Sequence, residues 1–250
     1  MNPHPARGAP APGSRRLAWR SATLLAAVVA LVAVAAAVSA AARGSPGPAG
    51  KTRTVFVSAG SVATVDLQAV PGQLTIVGAA TGRVTLSGPL DWTGHSPVAR
   101  VEFAAGRTLR LLYRCAAASP CTADWRLVVP RRTAVTLRQP SGHVVISGLA
   151  GPLRITAASV DVSATGLRCP SLAAAITSGH LSAAFQTAPR QVSVALRSAQ
   201  ATIWLPRGAS YAVRGQVAEG YLDVGIPQAA AAPRAVTARI VSGELELLAR

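Results

Sequence analysis

The side chains of this chain with reactive chemistry are few and widely spaced. Cys115 and Cys121 enclose the five residues AAASP, a spacing that in an exported protein predicts a loop disulfide clipping a hairpin-like loop after a strand at Leu109 to Tyr113. A loop this short places its stabilisation at the low end of the usual ~2–4 kcal/mol. Cys169 is then left over. It reads as a small buried hydrophobe, with an intermolecular disulfide or an alternative pairing as the other readings. His143 and His180 hold the same place in an internal repeat, but with no carboxylate or thiolate nearby they read as surface turn residues rather than metal ligands. Gly50-Lys51-Thr52 ends like a phosphate-binding loop, yet Ser45 stands where its first glycine is required and no strand precedes it. HExxH and GxSxG are both absent, and Asp66, Asp91, Asp124, Asp161 and Asp223 are scattered singly. Trp92, Trp125 and Trp204 offer a stacking platform for sugars only if the fold gathers them; isolated, they read as packing residues. Arg131-Arg132 after Pro130 reads as a solvated turn. No catalytic residue, cofactor site or metal site is expected, and the chain reads as not an enzyme.

The elements that carry these residues follow from composition. Half of the 250 residues are hydrophobic but only 4% are aromatic, so the core is built of Ala, Val and Leu. Residues 1–21 hold Arg7, Arg15, Arg16 and Arg20 and no acid, and residues 22–42 follow without a charge. At ~1.5 Å per residue this run spans the ~30 Å hydrocarbon core of a bilayer. The leading arginines place a basic tail over 1–21 in the cytoplasm and the rest of the chain outside. The expected location is therefore the cell membrane, single-pass; the alternative is secretion after cleavage near Val38-Ser39-Ala40. No cysteine follows the apolar run and no apolar tail ends the chain, which argues against a lipoprotein anchor and sortase attachment. Ser14-Arg15-Arg16-Leu17 only partly matches a twin-arginine signal. Residues 43–53 are a Pro/Gly-rich stalk. From Gly44 onward there are 20 basic residues against nine acidic ones, a balance that attracts teichoic acids, anionic lipid headgroups and other polyanions.

From Val55 the apolar period is two. Leu153–Thr156, Val192–Leu196 and Val236–Ile240 alternate cleanly, and further strands begin near Leu74, Val84, Val101, Leu109, Leu127, Val135, Val144, Val160, Leu172, Leu181, Thr202, Tyr211, Leu222 and Leu245. The spacing leaves no room for crossover helices. A glycine turn followed by an alternating strand recurs at Ser141-Gly142-His143-Val144, Ser178-Gly179-His180-Leu181, Glu219-Gly220-Tyr221-Leu222 and Ser242-Gly243-Glu244-Leu245. Uneven spacing of these glycines suits a stack of short strands with variable loops. Glycine at a fixed place suggests positive φ or close backbone approach. Small inward residues such as Ala183, Ala195 and Ala238 suit a narrow interior. The expected fold over 54–250 is all-β, a β-solenoid-like stack of short strands, with an antiparallel β-sandwich as the alternative.

These SG turns, the stretch Ile203-Trp204-Leu205-Pro206-Arg207-Gly208, and the ending Pro233 to Leu245 resemble the putative-adhesin β-strand-repeat domain family of actinobacterial envelope proteins, from about Thr54 to Arg250. That resemblance implies a stacked-strand extracellular domain, often tethered by one helix, without an assigned activity. The family's usual acidic residue after SG is here His143 and His180, with Glu244 at the last repeat. The first functional reading is a non-enzymatic membrane-anchored extracytoplasmic domain that binds or organises cell-envelope components. The alternative is the ectodomain of an envelope signalling or stress assembly acting through protein partners. Expected partners are envelope polymers or envelope proteins and the membrane itself, not nucleic acid. Carbohydrate cleavage needs carboxylates gathered on one face, which the scattered acids do not suggest.

Overall fold

Alternating apolar and polar residues build an all-β structure. The computed structural model describes residues 50–105 and 107–250. The basic tail over 1–21, the span over 22–42 and the stalk up to residue 49 lie outside the described residues, among which no helix is long and apolar enough to cross a membrane. Thirteen strands form one mixed sheet: β1 (Lys51–Gly60), β2 (Thr64–Gln68), β3 (Gly72–Ala79), β4 (Arg83–Trp92), β5 (Val98–Ala104), β6 (Thr108–Arg114), β7 (Cys121–Pro130), β8 (Ala134–Ser147), β9 (Leu153–Leu167), β10 (Ser171–Phe185), β11 (Gln191–Leu205), β12 (Ala212–Gly225) and β13 (Ala235–Ala249). The first strand begins at Lys51, three residues inside the segment that composition marks as a stalk.

From β8 onward the strands are parallel and in register. Leu153, Leu172, Val192, Val236 and Val213 are successive partners across β9, β10, β11, β13 and β12. A strand of 15 residues drawn straight would run ~50 Å. The three residues Arg168–Pro170 return the chain to the start of the next strand, and such a link reaches ~14 Å at most. Each long strand must therefore be folded in two. The burial pattern marks the fold: β9 buries Leu153, Ile155 and Ala157, then Val160, Val162 and Ala164, and the alternation slips by one place where Ala158 and Ser159 are both exposed. Each strand is thus a rung with a first half, a corner and a second half, enclosing apolar side chains between its halves. A Cβ added at Gly215 would meet Leu222 Cδ2, seven residues on in the same rung, a contact only a folded strand permits.

This pairing is that of the stacked-strand expectation, not of the antiparallel sandwich. Antiparallel pairs are confined to one end, between β1 and β4, β4 and β7, and β5 and β6. There β2 and β3 make one rung beside β8, while β6 and β7 make the next rung out. Chain order and spatial order differ at both ends. The β2–β3 rung sits inside the later β6–β7 rung, and β13 slots between β11 and the earlier β12. Long-range register, not local sequence, sets that order.

The corners explain the glycines. Gly142 pairs with Gly72, Gly179 with Ala199, and Gly243 with both Ala199 and Gly220. Gly179 has φ 105° and Gly243 φ 132°, and a Cβ at either would land on the carbonyl oxygen of Val160 or Ala199 in the neighbouring rung. Ser141, Ser159, Ser178, Ser198 and Ser242 form a column beside them. The repeat is therefore one rung of about 20 residues; the rungs cornering at Val160 and Ala199 lack the glycine, which is why glycine spacing alone looks irregular.

Candidate functional site

Register decides which charged side chains share a surface. On the outer surface of the first halves, Arg110, Asp66, Thr136, Arg154, Ala173, Ser193, Thr237 and Arg214 form one row across the stack. A second row runs Gln68, Arg138, Thr156, Ala175, Ala195, Arg239 and Gln216. With Arg100, Arg114 and Arg197 also exposed there, this face is strongly basic, relieved by Asp66 and Glu102.

The edge where second halves return to first halves is basic too. Its turns stack through backbone bonds: Gly148 N–H donates to Thr165 O at 3.1 Å, Arg168 N–H to Leu149 O at 2.8 Å, and Gln186 N–H to Leu167 O at 2.7 Å. These turns and the neighbouring ones carry Arg107, Arg131, Arg132, Arg168, Arg190, Arg207 and Arg234, and no acid. Among them lies a polar pocket of about 340 Å³, lined by Arg131, Arg168, Ser147, Thr165, Gln186 and glycines that include Gly148 and Gly166 of the turns. Arg168 Nε donates to Gln186 Oε1 at 2.9 Å, which fixes one guanidinium at the rim. Two guanidinium groups, two hydroxyls and no carboxylate suit a phosphate, sulfate or carboxylate group. Among the described residues Arg138 is the only arginine in an ion pair, with Asp66 Oδ1 at 2.6 Å; the other guanidinium groups of this surface have no carboxylate partner, and all but Arg234, whose Nε is buried, face solvent.

The acids collect on the opposite surface. Along the second halves, one row runs Gln73, His143, Asp161, and, further along the stack, Gln200, Glu244 and Tyr221; a neighbouring row ends in Thr202, Glu246 and Asp223. Asp91 and Asp124 stand on the same side. The expectation that the carboxylates are scattered is thus corrected: residues far apart in sequence become neighbours once the rungs are in register. His143 and His180, equivalent in the repeat, lie two rungs apart. β9 lies between them, and Asp161 serves both, with His143 Nε2 3.5 Å from Oδ2 and the His180 N–H donating to Oδ1 at 3.1 Å. Among the described residues no group of three His, Cys, Asp or Glu side chains is placed to hold a metal.

The remaining candidates are structural. Cys115 and Cys121 form a disulfide with Cα atoms 5.4 Å apart. Its loop is a corner, not a hairpin: β6 belongs to the first face and β7 to the second, so the bridge clips the longer of the two corners that are loops, Cys115–Pro120 against Ala69–Pro71. The tryptophans do not gather. Trp125 is buried edge-on against Tyr113 with ring centroids 4.6 Å apart, Trp92 packs partly against the core, and Trp204 stands on the outer second face. Buried Gln139 donates from Nε2 to Val70 O at 3.1 Å and Ser141 O at 3.0 Å, tying the corner of β8 to the link between β2 and β3.

Burial pushes the Tyr113 phenol up to about 12, with the Arg53 charge pulling weakly the other way. It pushes the Cys169 thiol up to about 11, against backbone hydrogen bonds that lower it. Both folded-state values lie above the unfolded ones, so the folded state favours the protonated form. The contribution is fully present below the unfolded values, ~8.5 for Cys and ~10 for Tyr, and is lost as pH rises through the folded ones. Urea midpoints measured from pH 8 to 11 are expected to fall steadily above pH 9, and to fall less in a Tyr113→Phe, Cys169→Ala double variant.

No family model matches this chain, and no curated protein matches it. Among solved structures it is similar to a putative adhesin from Bacteroides fragilis, at 14% identity over 80% of this chain and 98% of that one, with a TM-score of 0.47. A putative cell adhesion protein from Clostridium sporogenes is similar at 10% identity over 79% of this chain and all of that one, TM-score 0.44. A putative lipid binding protein from Parabacteroides distasonis is similar at 11% identity over 79% and 96%, TM-score 0.29. At identities and TM-scores this low the likenesses say nothing of what this chain binds.

Proposed function

We propose that the chain is a non-enzymatic, membrane-anchored extracytoplasmic domain that holds anionic cell-envelope polymers against its arginine-rich surface. The observation that carries this reading is the division of charge: arginines without carboxylate partners cover the first face and the return edge, while Asp161, Asp223, Glu244 and Glu246 stand on the other face. Composition alone would spread the excess charge evenly. Rungs stacked ~4.8 Å apart instead present guanidinium groups in rows, and a flexible polyanion laid along the stack meets several at once, releasing its counterions as it binds. The basic residues of the tail over 1–21 and the apolar run over 22–42 support an anchor that leaves this surface outside the cytoplasm.

The test is binding of the full chain, in detergent, to poly(glycerol phosphate) and to a neutral glycan of similar length. Retention on the phosphate polymer that disappears between 50 mM and 500 mM salt, with none on the neutral glycan, is the expected result. Equal retention on both, or a stoichiometric envelope protein captured while the polymer is ignored, would overturn the reading.

A further inference from the structure

The stack is open at one end. β12 pairs with β13 along its length and, among the described residues, with no other strand, which leaves a 14-residue edge of backbone donors and acceptors. Natural proteins blunt such edges with prolines, bulges or short strands. β12 has none of these. Its interior positions are also uncovered: Val217 is 41% exposed, although its partner Ile240 in the next rung is 2% exposed. Val213, Leu222 and Val224 are only partly buried against the core, while their partners Val236, Leu245 and Leu247 are fully buried.

We infer that a second copy of this chain closes this end, its β12 pairing antiparallel with the first about a twofold axis through the corner. The register is over-determined. Antiparallel partners point to the same side, so interior residues must oppose interior residues. In β12 these are odd-numbered before the corner and even-numbered after it, because the alternation slips there. A twofold register therefore has to oppose first half to second half.

The register that pairs the strand over its whole length, Ala212 opposite the second copy's Gly225, meets this condition. It sets Val213 opposite the second copy's Val224, and Gly215, which has no side chain, opposite the second copy's Leu222. On the outer surface it places Arg214 opposite the second copy's Asp223, twice by symmetry, and Gln216 opposite its Tyr221. Shifting by two residues in either direction leaves Arg214 facing Tyr221 or Gly225. Full-length pairing, apolar continuity and charge complementarity thus select the same alignment, as an isologous interface requires. The two Glu219 side chains flank the axis, the one like-charge contact, so E219Q is expected to tighten the pair.

The far end cannot supply this partner. Its first face ends on β5 and its second face one strand further out on β1, both antiparallel to their neighbours, so it presents a step where β12 presents a flush rung.

Sedimentation equilibrium of the full chain in detergent tests the inference. The wild type is expected to be a dimer. R214D alone, which sets Asp against Asp, and D223R alone, which sets Arg against Arg, are each expected to dimerise at least tenfold more weakly, with urea midpoints equal to the wild type's at protein concentrations low enough that all three are monomeric, because both side chains are exposed. An equimolar mixture of the two is expected to recover a heterodimer, since each copy then offers the charge the other lacks, and the double variant R214D/D223R recovers the homodimer. A monomeric wild type at 100 µM, single variants as dimeric as the wild type, no recovery on mixing, or open-ended growth with concentration would each overturn it.

Discussion

Gly179→Ala is expected to unfold at markedly lower urea, a loss of ~3 kcal/mol or more, since a side chain at strained positive φ costs ~1–3 kcal/mol and forcing it onto a fixed neighbour adds a similar ~1–3. The neighbour is the Val160 carbonyl oxygen, part of the adjacent rung's backbone, and it cannot swing aside as a side chain would. Gly243→Ala meets the Ala199 carbonyl in the same way and is expected to behave alike. Gly208→Ala is the control: nothing lies within 4 Å of its added methyl, and a change within ~0.5 kcal/mol is expected. If Gly179→Ala were as mild as Gly208→Ala, the corner would not depend on close backbone approach. The account of how the rungs keep register, and hence how the arginines come into rows, would fail with it.

Charge reversal of the basic surface is the second large effect. Arg131, Arg168, Arg154 and Arg239 lie on two turns and two rungs of the same continuous surface, all exposed. The variant carrying Glu at all four is expected to bind poly(glycerol phosphate) at least ~100-fold more weakly at 50 mM salt. Its plot of log affinity against log salt is expected to flatten by about 3, the value for four lost contacts at ~0.7 each on a flexible strand. Neutralising the opposite face with Asp161→Asn, Glu244→Gln and Glu246→Gln is expected to leave binding unchanged or strengthen it. The two sets move the net charge in opposite directions, so a protein that responded merely to its net charge would weaken with the first set and strengthen with the second in simple proportion to the charges altered. A flattened slope confined to the first set is what localised contact requires.

Much of the fold is legible in the sequence because a rung leaves two local marks. Strict alternation identifies the halves, as in Leu153-Arg154-Ile155-Thr156 and Val192-Ser193-Val194-Ala195-Leu196, and the SG pairs at Ser141, Ser178 and Ser242 identify corners. Two corners carry no glycine, at Ser159-Val160 and Ser198-Ala199, and there only the serine is a signal. β2 is hard to see because Thr64–Gln68 offers five residues with one acid at its centre. The order of rungs at both ends is not legible at all. Nothing local tells β13 to pair between β11 and β12, or β2 to pair inside β6, since those choices rest on contacts across dozens of residues.

The same limit hid the candidate site. Arg131 and Arg132 look like one solvated turn, and in isolation they are. Their meaning comes from Arg168, 37 residues later by number, standing across a pocket from Arg131, and from the absence of any acid among the return turns. The carboxylates make the converse case. Asp223 and Glu246 look unrelated in sequence, yet they are partners across β12 and β13. A sequence reader could have found the turn arginines by asking what recurs between alternating segments rather than within them.

Arginine-directed labelling with phenylglyoxal, read residue by residue in the presence and absence of poly(glycerol phosphate), tests the division of the surface most directly. Arg126 supplies the internal reference, because it is exposed on the outer second face beside Thr75. The account predicts that the polymer shields Arg131, Arg154, Arg168 and Arg239 while Arg126 keeps reacting at its free rate. Uniform shielding of all five, or shielding of Arg126 with the other four left open, would contradict it.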